Sequence, residues 1–509
     1  MAYSHYERLS ALDATFLAVE DDNAHMHVGA VALFDAAPLL GADGFLDMDR
    51  IRRVVEVGLH RVPRYQQRLA TIPLFGYPVW IDDNHFNLTY HVRHVRLPHP
   101  GNERQLKRLA GRIMSQQLDR GKPLWELWVV EGVEGDRVAL ITKAHHCMID
   151  GVGSVELTGT LMRMTPEIDH QMSDPQRWIP RPAPTPLQLL IGELGRRAAE
   201  PLAALGVLRR ALTDPRAAVD ALSNAVLGVG EALGAGLQPA SPTPLNTTIG
   251  PHRRFDWLEM SLDAVKDVKT RLGGTLNDVV LATVSGALGR FLHTRGLQVE
   301  KLDFRAMIPV NVRTQADRES LGNRVTMIVA RLPLAERDPR LRLQRVSETT
   351  RQLKGSRQGL GVQTLEDVSD WTLTTLFSGF VRLSTASRPY NVVVTNVPGP
   401  QFPTYFLGAP TRAVYPLVPL NRGQALGIAL FSYNGGLFWG FNADWDAVPD
   451  LHELAEAVHK EFELLRNAAA LGPLAASTSK RARRSVRARG YGKRRAKGLR
   501  AAAGQGLGA

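Results

Sequence analysis

Residues 137–151 read Arg-Val-Ala-Leu-Ile-Thr-Lys-Ala-His145-His146-Cys147-Met148-Ile149-Asp150-Gly151. An apolar, β-branched run of this kind favours a strand. The strand delivers two histidines, and an Asp-Gly turn follows them. Successive side chains on a strand point to opposite faces. His145 and His146 therefore share one cleft only if the strand has already ended; otherwise one faces the site and the other supports it. An imidazole, with a reference pKa of about 6.5, suits proton transfer near neutral pH. Gly151 permits a backbone turn that a Cβ would obstruct. A buried histidine pair used only for packing is the alternative, and the spacing alone does not separate the two readings.

Working outward, this strand is the second arm of a hairpin: Trp125–Val133, a turn at Glu134-Gly135-Asp136, then Arg137–Lys143. Further upstream, His27–Phe34 reads as a strand and Asp49–His60 as a helix. Phe86–Leu97 alternates like a strand with one exposed face. Asn102–Leu118 reads as a helix with Leu106, Leu109, Ala110, Ile113 and Met114 on one side. Downstream, Pro166, Pro175, Pro180, Pro182, Pro184 and Pro186 open a linker. Leu187–Leu237 is Ala/Leu/Arg-rich and helical in pattern, and Pro239, Pro242 and Pro244 close it. A second α/β region begins near Asn246. It holds an apolar helix over Asn277–His293, strands at Lys301–Val310, Tyr390–Val397 and Leu426–Tyr433, and a helix over Val448–Leu465. Tyr433-Asn434-Gly435-Gly436 marks a hairpin turn. The expected organisation is an N-terminal domain over 1–165, a linker over 166–245, a C-terminal domain over 246–470 and a basic tail over 471–509. No exact repeat is found, although two α/β halves around a linker are compatible with duplication.

The chain has 509 residues, 44% hydrophobic and 22% charged, with formal net charge +12. That is enough for two or three domains with large cores. Eleven of those twelve net charges come from Lys and Arg between Lys480 and Arg500, in a segment with no acid. The body is therefore nearly neutral, which removes the main argument for nucleic-acid binding, and the tail is expected to be disordered. The single cysteine, Cys147, excludes an intrachain disulfide framework and a cysteine-based zinc site. Met1–Phe16 lacks an apolar stretch behind a basic start, so no signal peptide is expected. No segment reads as a spanning helix. The expected location is the cytoplasm, or the periphery of its membrane or of lipid droplets.

His145-His146-x-x-x-Asp150-Gly151 resembles the HHxxxDG signature of CoA-dependent acyltransferases, among them chloramphenicol acetyltransferase and the condensation domains of peptide synthetases. The chain most resembles the bacterial wax ester synthase/diacylglycerol acyltransferases. Leu9-Ser10-x-x-Asp13-x-x-Phe16-Leu17 and Met26-His27-Val28-Gly29 resemble that family's opening. Pro123-Leu124-Trp125 resembles its PLW motif, and Asn277-Asp278 its ND motif. Asn396-Val397-Pro398-Gly399-Pro400 and Ser432-Tyr433-Asn434-Gly435 complete the set. The likeness spans roughly residues 4–468 and fails in the linker and the tail.

The resemblance implies an α/β fold of two chloramphenicol-acetyltransferase-like domains with a tunnel between them, joined by the helical linker. It implies an acyl-CoA:diacylglycerol O-acyltransferase forming triacylglycerol, or a wax ester synthase on long-chain alcohols. Long-chain acyl-CoA would be a substrate, with no cofactor and no metal. His146 would be the general base and His145 its support. Asp150 would be structural, held by an arginine for which Arg64 is the candidate, with Gly151 in the turn. Asn277 would be a polar donor near the oxyanion, and Pro123, Leu124 and Trp125 would touch substrate. Plainer readings stand beside these: Trp125 as core rather than tunnel lining, Asp278 as a helix cap rather than part of the site, and Cys147 as an inert thiol rather than a nucleophile. The Leu187–Leu237 segment, with Arg196, Arg197, Arg209 and Arg210 at its polar edge, reads either as a membrane-surface helix or as a packed linker. A condensation-like transferase and a degenerate lipid-binding or DNA-binding scaffold are the remaining alternatives.

Overall fold

The computed structural model describes residues 6–148, 159–167, 178–198, 239–311, 325–355 and 388–472. The first half runs β1 (Glu7–Arg8), α1 (Ala11–Val19), β2 (His27–Asp35), α2 (Met48–Leu59), β3 (Gln67–Thr71), β4 (Pro78–Asp82), α3 (Leu88–His91), β5 (Val92–Arg96), α4 (Glu103–Ser115), β6 (Trp125–Val133) and β7 (Arg137–His145). The second half runs β8 (Arg253–Ser261), α5 (Leu262–Leu272), α6 (Leu276–Thr294), β9 (Arg305–Asn311), β10 (Val325–Arg331), α7 (Pro339–Gly355), β11 (Val392–Pro398), β12 (Tyr405–Phe406), β13 (Ala409–Leu417), β14 (Leu426–Tyr433), β15 (Gly436–Asp444) and α8 (Leu451–Ala470).

Local chemistry sets most boundaries. Asn102 and Gln105 form a capping box that starts α4, and Thr275 and Asp278 form another that starts α6. Asn434 and Gly435 both have positive φ, at 43° and 82°. That is the geometry a two-residue hairpin between β14 and β15 demands. One expectation fails in part. Phe86–Leu97 is not a single strand, because the Asn87 side chain accepts from the Thr89 N–H and turns the chain into α3 before β5 begins.

Two six-stranded sheets form the body. One has the order β12-β13-β2-β7-β6-β5 and the other β10-β9-β11-β14-β15-β8; a small third sheet is β1-β4-β3. The division expected at 246 separates chain segments but not sheets. β13 leaves the second half and pairs antiparallel with β2, Leu417 opposite Gly29 and Val414 opposite Ala32. The crossing runs close over β15: a Cβ at Gly440 would stand 1.8 Å from the Pro416 carbonyl oxygen, so only glycine fits there. Between the two large sheets, Leu106, Leu109, Ile113 and Met114 of α4 share a core with Val31 and Ile141 on one side and Phe255, Trp257 and Phe438 on the other.

Of the Leu187–Leu237 segment, residues 187–198 are described and helical, in a helix that begins at Pro186. Leu189 packs with Ile72, Val79 and Ile81 of the small sheet. Arg196 and Arg197 pair with the buried Glu193. Arg209, Arg210 and the tail beyond Gly472 lie outside the described residues.

Candidate active site

β7 ends at His145, and His146 begins a short 3-10 turn, His146–Met148. The strand thus stops between the two histidines, and they point to separate surroundings. His145 is buried. Its Nδ1 accepts from the Cys147 backbone N–H at 3.1 Å. A backbone N–H only donates, so Nδ1 carries no proton and the hydrogen sits on Nε2. That nitrogen faces the Glu20 carboxylate, 3.5 Å away. Glu20 Oε2 also accepts from Arg120 Nε at 3.2 Å. Burial alone would raise the Glu20 carboxyl; His145 and Arg120 outweigh it and hold the group at about 2.

His146 keeps partial exposure. Phe16 of α1 stacks on its ring at 3.9 Å. Its backbone N–H donates to the Met26 carbonyl at 2.7 Å, and its Nδ1 is buried. Burial pushes the ring down to about 4, with His145 adding to the shift and the residue's own carbonyl opposing it. His146 is therefore an unprotonated, partly open imidazole across the neutral range. A ring in that state has a free nitrogen lone pair and no positive charge.

His27 sits directly across from His145 in the β2–β7 ladder. It is buried, and burial depresses it far below its usual value. Lys143, also on β7, is buried and donates to the Ile113 carbonyl at the end of α4 at 2.9 Å. Burial lowers it to about 8. Burial raises the Cys147 thiol well above its usual range, so it presents little thiolate. Among the described residues, no group of three His, Cys, Asp or Glu side chains is placed to hold a metal ion.

The remaining sequence candidates fall into three places. Pro123, Leu124 and Trp125 lead into β6, beside the histidine strand in the same sheet, with Trp125 opposite Ala144. The Leu124 carbonyl accepts from the His145 N–H at 2.9 Å. Trp125 is core: its Nε1 donates to the Tyr65 carbonyl at 2.7 Å, and the His91 ring stacks on it at 4.6 Å. Asn277 lies at the start of α6, where its Oδ1 accepts from Asn396 Nδ2 at 2.7 Å, joining two of the quoted motifs. Asp278 closes the α6 capping box and accepts from the Thr350 hydroxyl at 2.6 Å. Asp150 and Gly151 lie outside the described residues. Arg64 is held by Glu7 and Gln67 and lies over the Trp80 ring.

Sequence reasoning missed Glu20 and Arg120. A signal for Glu20 existed: it caps the C-terminal end of α1, where the helix dipole disfavours a carboxylate. An acid kept there needs another reason.

The chain matches the wax ester synthase/diacylglycerol acyltransferase catalytic domain over residues 9–280 and the C-terminal domain of the same family over 321–466. It is 33% identical over 468 residues to a putative diacylglycerol O-acyltransferase of Mycobacterium tuberculosis H37Rv, covering 88% of each chain. It is 29% identical over 472 residues to the O-acyltransferase WSD of Acinetobacter baylyi, covering 90% of this chain and 96% of that one. Among solved structures, the wax ester synthase/diacylglycerol acyltransferase of Marinobacter aquaeolei VT8 superposes with TM-score 0.64 at 25% identity, covering 91% and 100%. The first condensation domain of the CDA synthetase shares the fold, with TM-score 0.54 at 17% identity over 92% and 97%.

Proposed function

The chain belongs to the wax ester synthase/diacylglycerol acyltransferase family, and from that premise we propose that it moves a long-chain acyl group from CoA to the hydroxyl of diacylglycerol, forming triacylglycerol. It is an O-acyltransferase. The observation that carries the reading is the pair at the end of β7: a neutral, partly open His146 beside a His145 tied to Glu20. His146 takes the hydroxyl proton of the acceptor as the alcohol oxygen attacks the thioester carbonyl. The tetrahedral intermediate collapses and expels the CoA thiolate, which recovers the proton from the His146 imidazolium. Asn277 is the candidate donor to the oxyanion. Incubating the purified chain with palmitoyl-CoA, diacylglycerol and hexadecanol in competition, and counting triacylglycerol against wax ester, tests the reading. No CoA release with either acceptor would overturn it.

A pKa near 4 for the free base sets the pH response. The kcat/KM of acyl transfer is expected to stay level from about pH 8 down to about pH 5.5, with its acid limb below that. A limb centred near 6.5 would show a hydrated, unburied base. The same burial makes the fold acid-labile. A histidine whose folded pKa is depressed stabilises above its unfolded value, about 6.5, and that contribution is lost as pH falls towards the folded value. Initial rates therefore need a parallel melting curve at each pH.

An insoluble acceptor requires work at a lipid surface. No described helix is long and apolar enough to cross a membrane. The 186–198 helix instead leaves Leu187, Ile191 and Leu194 exposed on one side, at spacings that share a helix face. We read this as a face for lipid contact. The double variant Ile191→Glu/Leu194→Glu should weaken sedimentation with anionic vesicles by about tenfold or more. Turnover on detergent-dispersed substrate should not change. Equal vesicle binding by variant and wild type would refute the assignment. Loss of binding only on truncation after Leu474 would move the tether to the basic tail.

A further inference from the structure

Between α1 and β2 the chain makes a seven-residue strap, Glu20–Met26, whose two ends hold the two histidines. Glu20 faces His145 Nε2 at 3.5 Å. The Met26 carbonyl accepts the His146 N–H at 2.7 Å. The middle of the strap is gripped by the other half of the molecule. Asp21 Oδ1 accepts from the Asn23 and Ala24 N–H groups at 2.8 and 2.6 Å, closing a tight turn, while its Oδ2 pairs with Arg422. The Asn23 carbonyl accepts from the Arg253 guanidinium. Ala24, fully buried, belongs to the apolar core of the second half.

Arg253 is itself immobilised. It is buried, and its Nη1 donates to the Gly250 and His252 carbonyls at 2.6 and 3.0 Å, with Asp444 at 3.8 Å. Its backbone N–H donates to Ser115 Oγ at 2.9 Å at the end of α4. Gly111 makes this approach possible, since a Cβ there would stand 2.7 Å from the Arg253 carbonyl oxygen. The carbonyls at that end of α4 accept Lys143, two residues before His145. Two rigid routes, the strap and α4, thus run from Arg253 to the histidine pair.

We propose that Arg253, assisted by Arg422, is a positioning residue: the second half uses it to hold the strap, and through the strap the catalytic pair, in register. The proposal rests on His146 being the base. Displacing a base by about 1 Å costs on the order of 100-fold in rate, whereas a residue acting only through the strap leaves substrate binding alone.

The test compares Arg253→Lys, Arg253→Met and Arg422→Gln with Arg290→Gln, which loosens an ion pair to Glu461 on α8. Arg422 is exposed, so its variant folds. The expected kcat loss is about thirtyfold for Arg253→Met, smaller for Arg253→Lys, which keeps the charge but not the guanidinium fork, and several-fold, about three to five, for Arg422→Gln. KM for palmitoyl-CoA should stay within about twofold, and the acid limb of kcat should move up towards 6.5 as His146 becomes hydrated. Carbethoxylation of His146 should quicken in the same order. Arg290→Gln should change none of these. If Arg253→Met fails to fold, Arg253→Lys and Arg422→Gln decide. Wild-type kcat and acid limb in both, a rise in KM with kcat intact, or an equal loss in Arg290→Gln would each overturn the proposal. Absence of acyl transfer by the wild-type chain, or full activity of His146→Ala, would instead overturn the reading of the site.

Discussion

Replacing His146 with alanine is expected to lower kcat by roughly 10²–10⁴-fold, the range that general-base removal produces. The fold should persist. The bond that locks this turn is made by the His146 backbone N–H to the Met26 carbonyl, which alanine keeps. What is lost is the ring stacked on Phe16 and an imidazole held neutral by burial at about 4. Loss of that imidazole removes an acid-destabilising group, so the melting temperature of the variant should fall less than that of wild type as pH drops from about 6.5. A folded variant with more than about a tenth of wild-type turnover would refute the base assignment. His145→Ala should behave differently, since it strands the Cys147 N–H and takes a partner from Glu20. Its activity loss should come with a loss of stability.

Legibility of the fold followed the range of the forces involved. The β6–β7 hairpin, α4, α6 and β14 were readable because their signals are local: alternation, capping side chains and an Asn-Gly turn. Phe86–Leu97 misled because Asn87 caps a turn inside an alternating run. The crossing of β13 to β2 was not readable. Its alternation reports only that one face is buried, and Gly440 shows why the crossing fits only once Pro416 is placed over it. At the site, His145 and His146 announced themselves as paired titratable groups at a strand end. The Pro123-Leu124-Trp125 segment was visible as a motif, whereas its packing was not: the Leu124 carbonyl accepts from the His145 N–H and the Trp125 N–H is satisfied in the core. Glu20 and Arg120 stayed hidden because they are a hundred residues apart and meet only when the strap folds over β7.

Glu20→Gln is expected to have the second largest effect on turnover. The carboxylate faces His145 Nε2 at 3.5 Å and is held by Arg120 from the other side. Glutamine keeps the shape but replaces a charged acceptor with a neutral amide, which can present its NH₂ to Nε2–H and turn the ring. Bonds to charged groups contribute about 1.5–3 kcal/mol, so kcat should fall by about 10- to 100-fold while KM for palmitoyl-CoA changes little. The substitution also has a signature in stability. The Glu20 carboxyl sits at about 2 in the folded chain against 4.5 for the free group. A depressed carboxyl stabilises above its unfolded value, and that contribution is lost as pH falls towards the folded one. At neutral pH it amounts to no more than about 3 kcal/mol. The gap in unfolding free energy between wild type and Glu20→Gln should therefore be constant above about pH 5 and shrink below about pH 4.5. Urea titrations at pH 7, 5 and 4 would measure it. A gap that widens with acid would mean that Glu20 is protonated in the fold. An unchanged kcat at pH 7 would mean that the Arg120–Glu20–His145 chain does not act on the base.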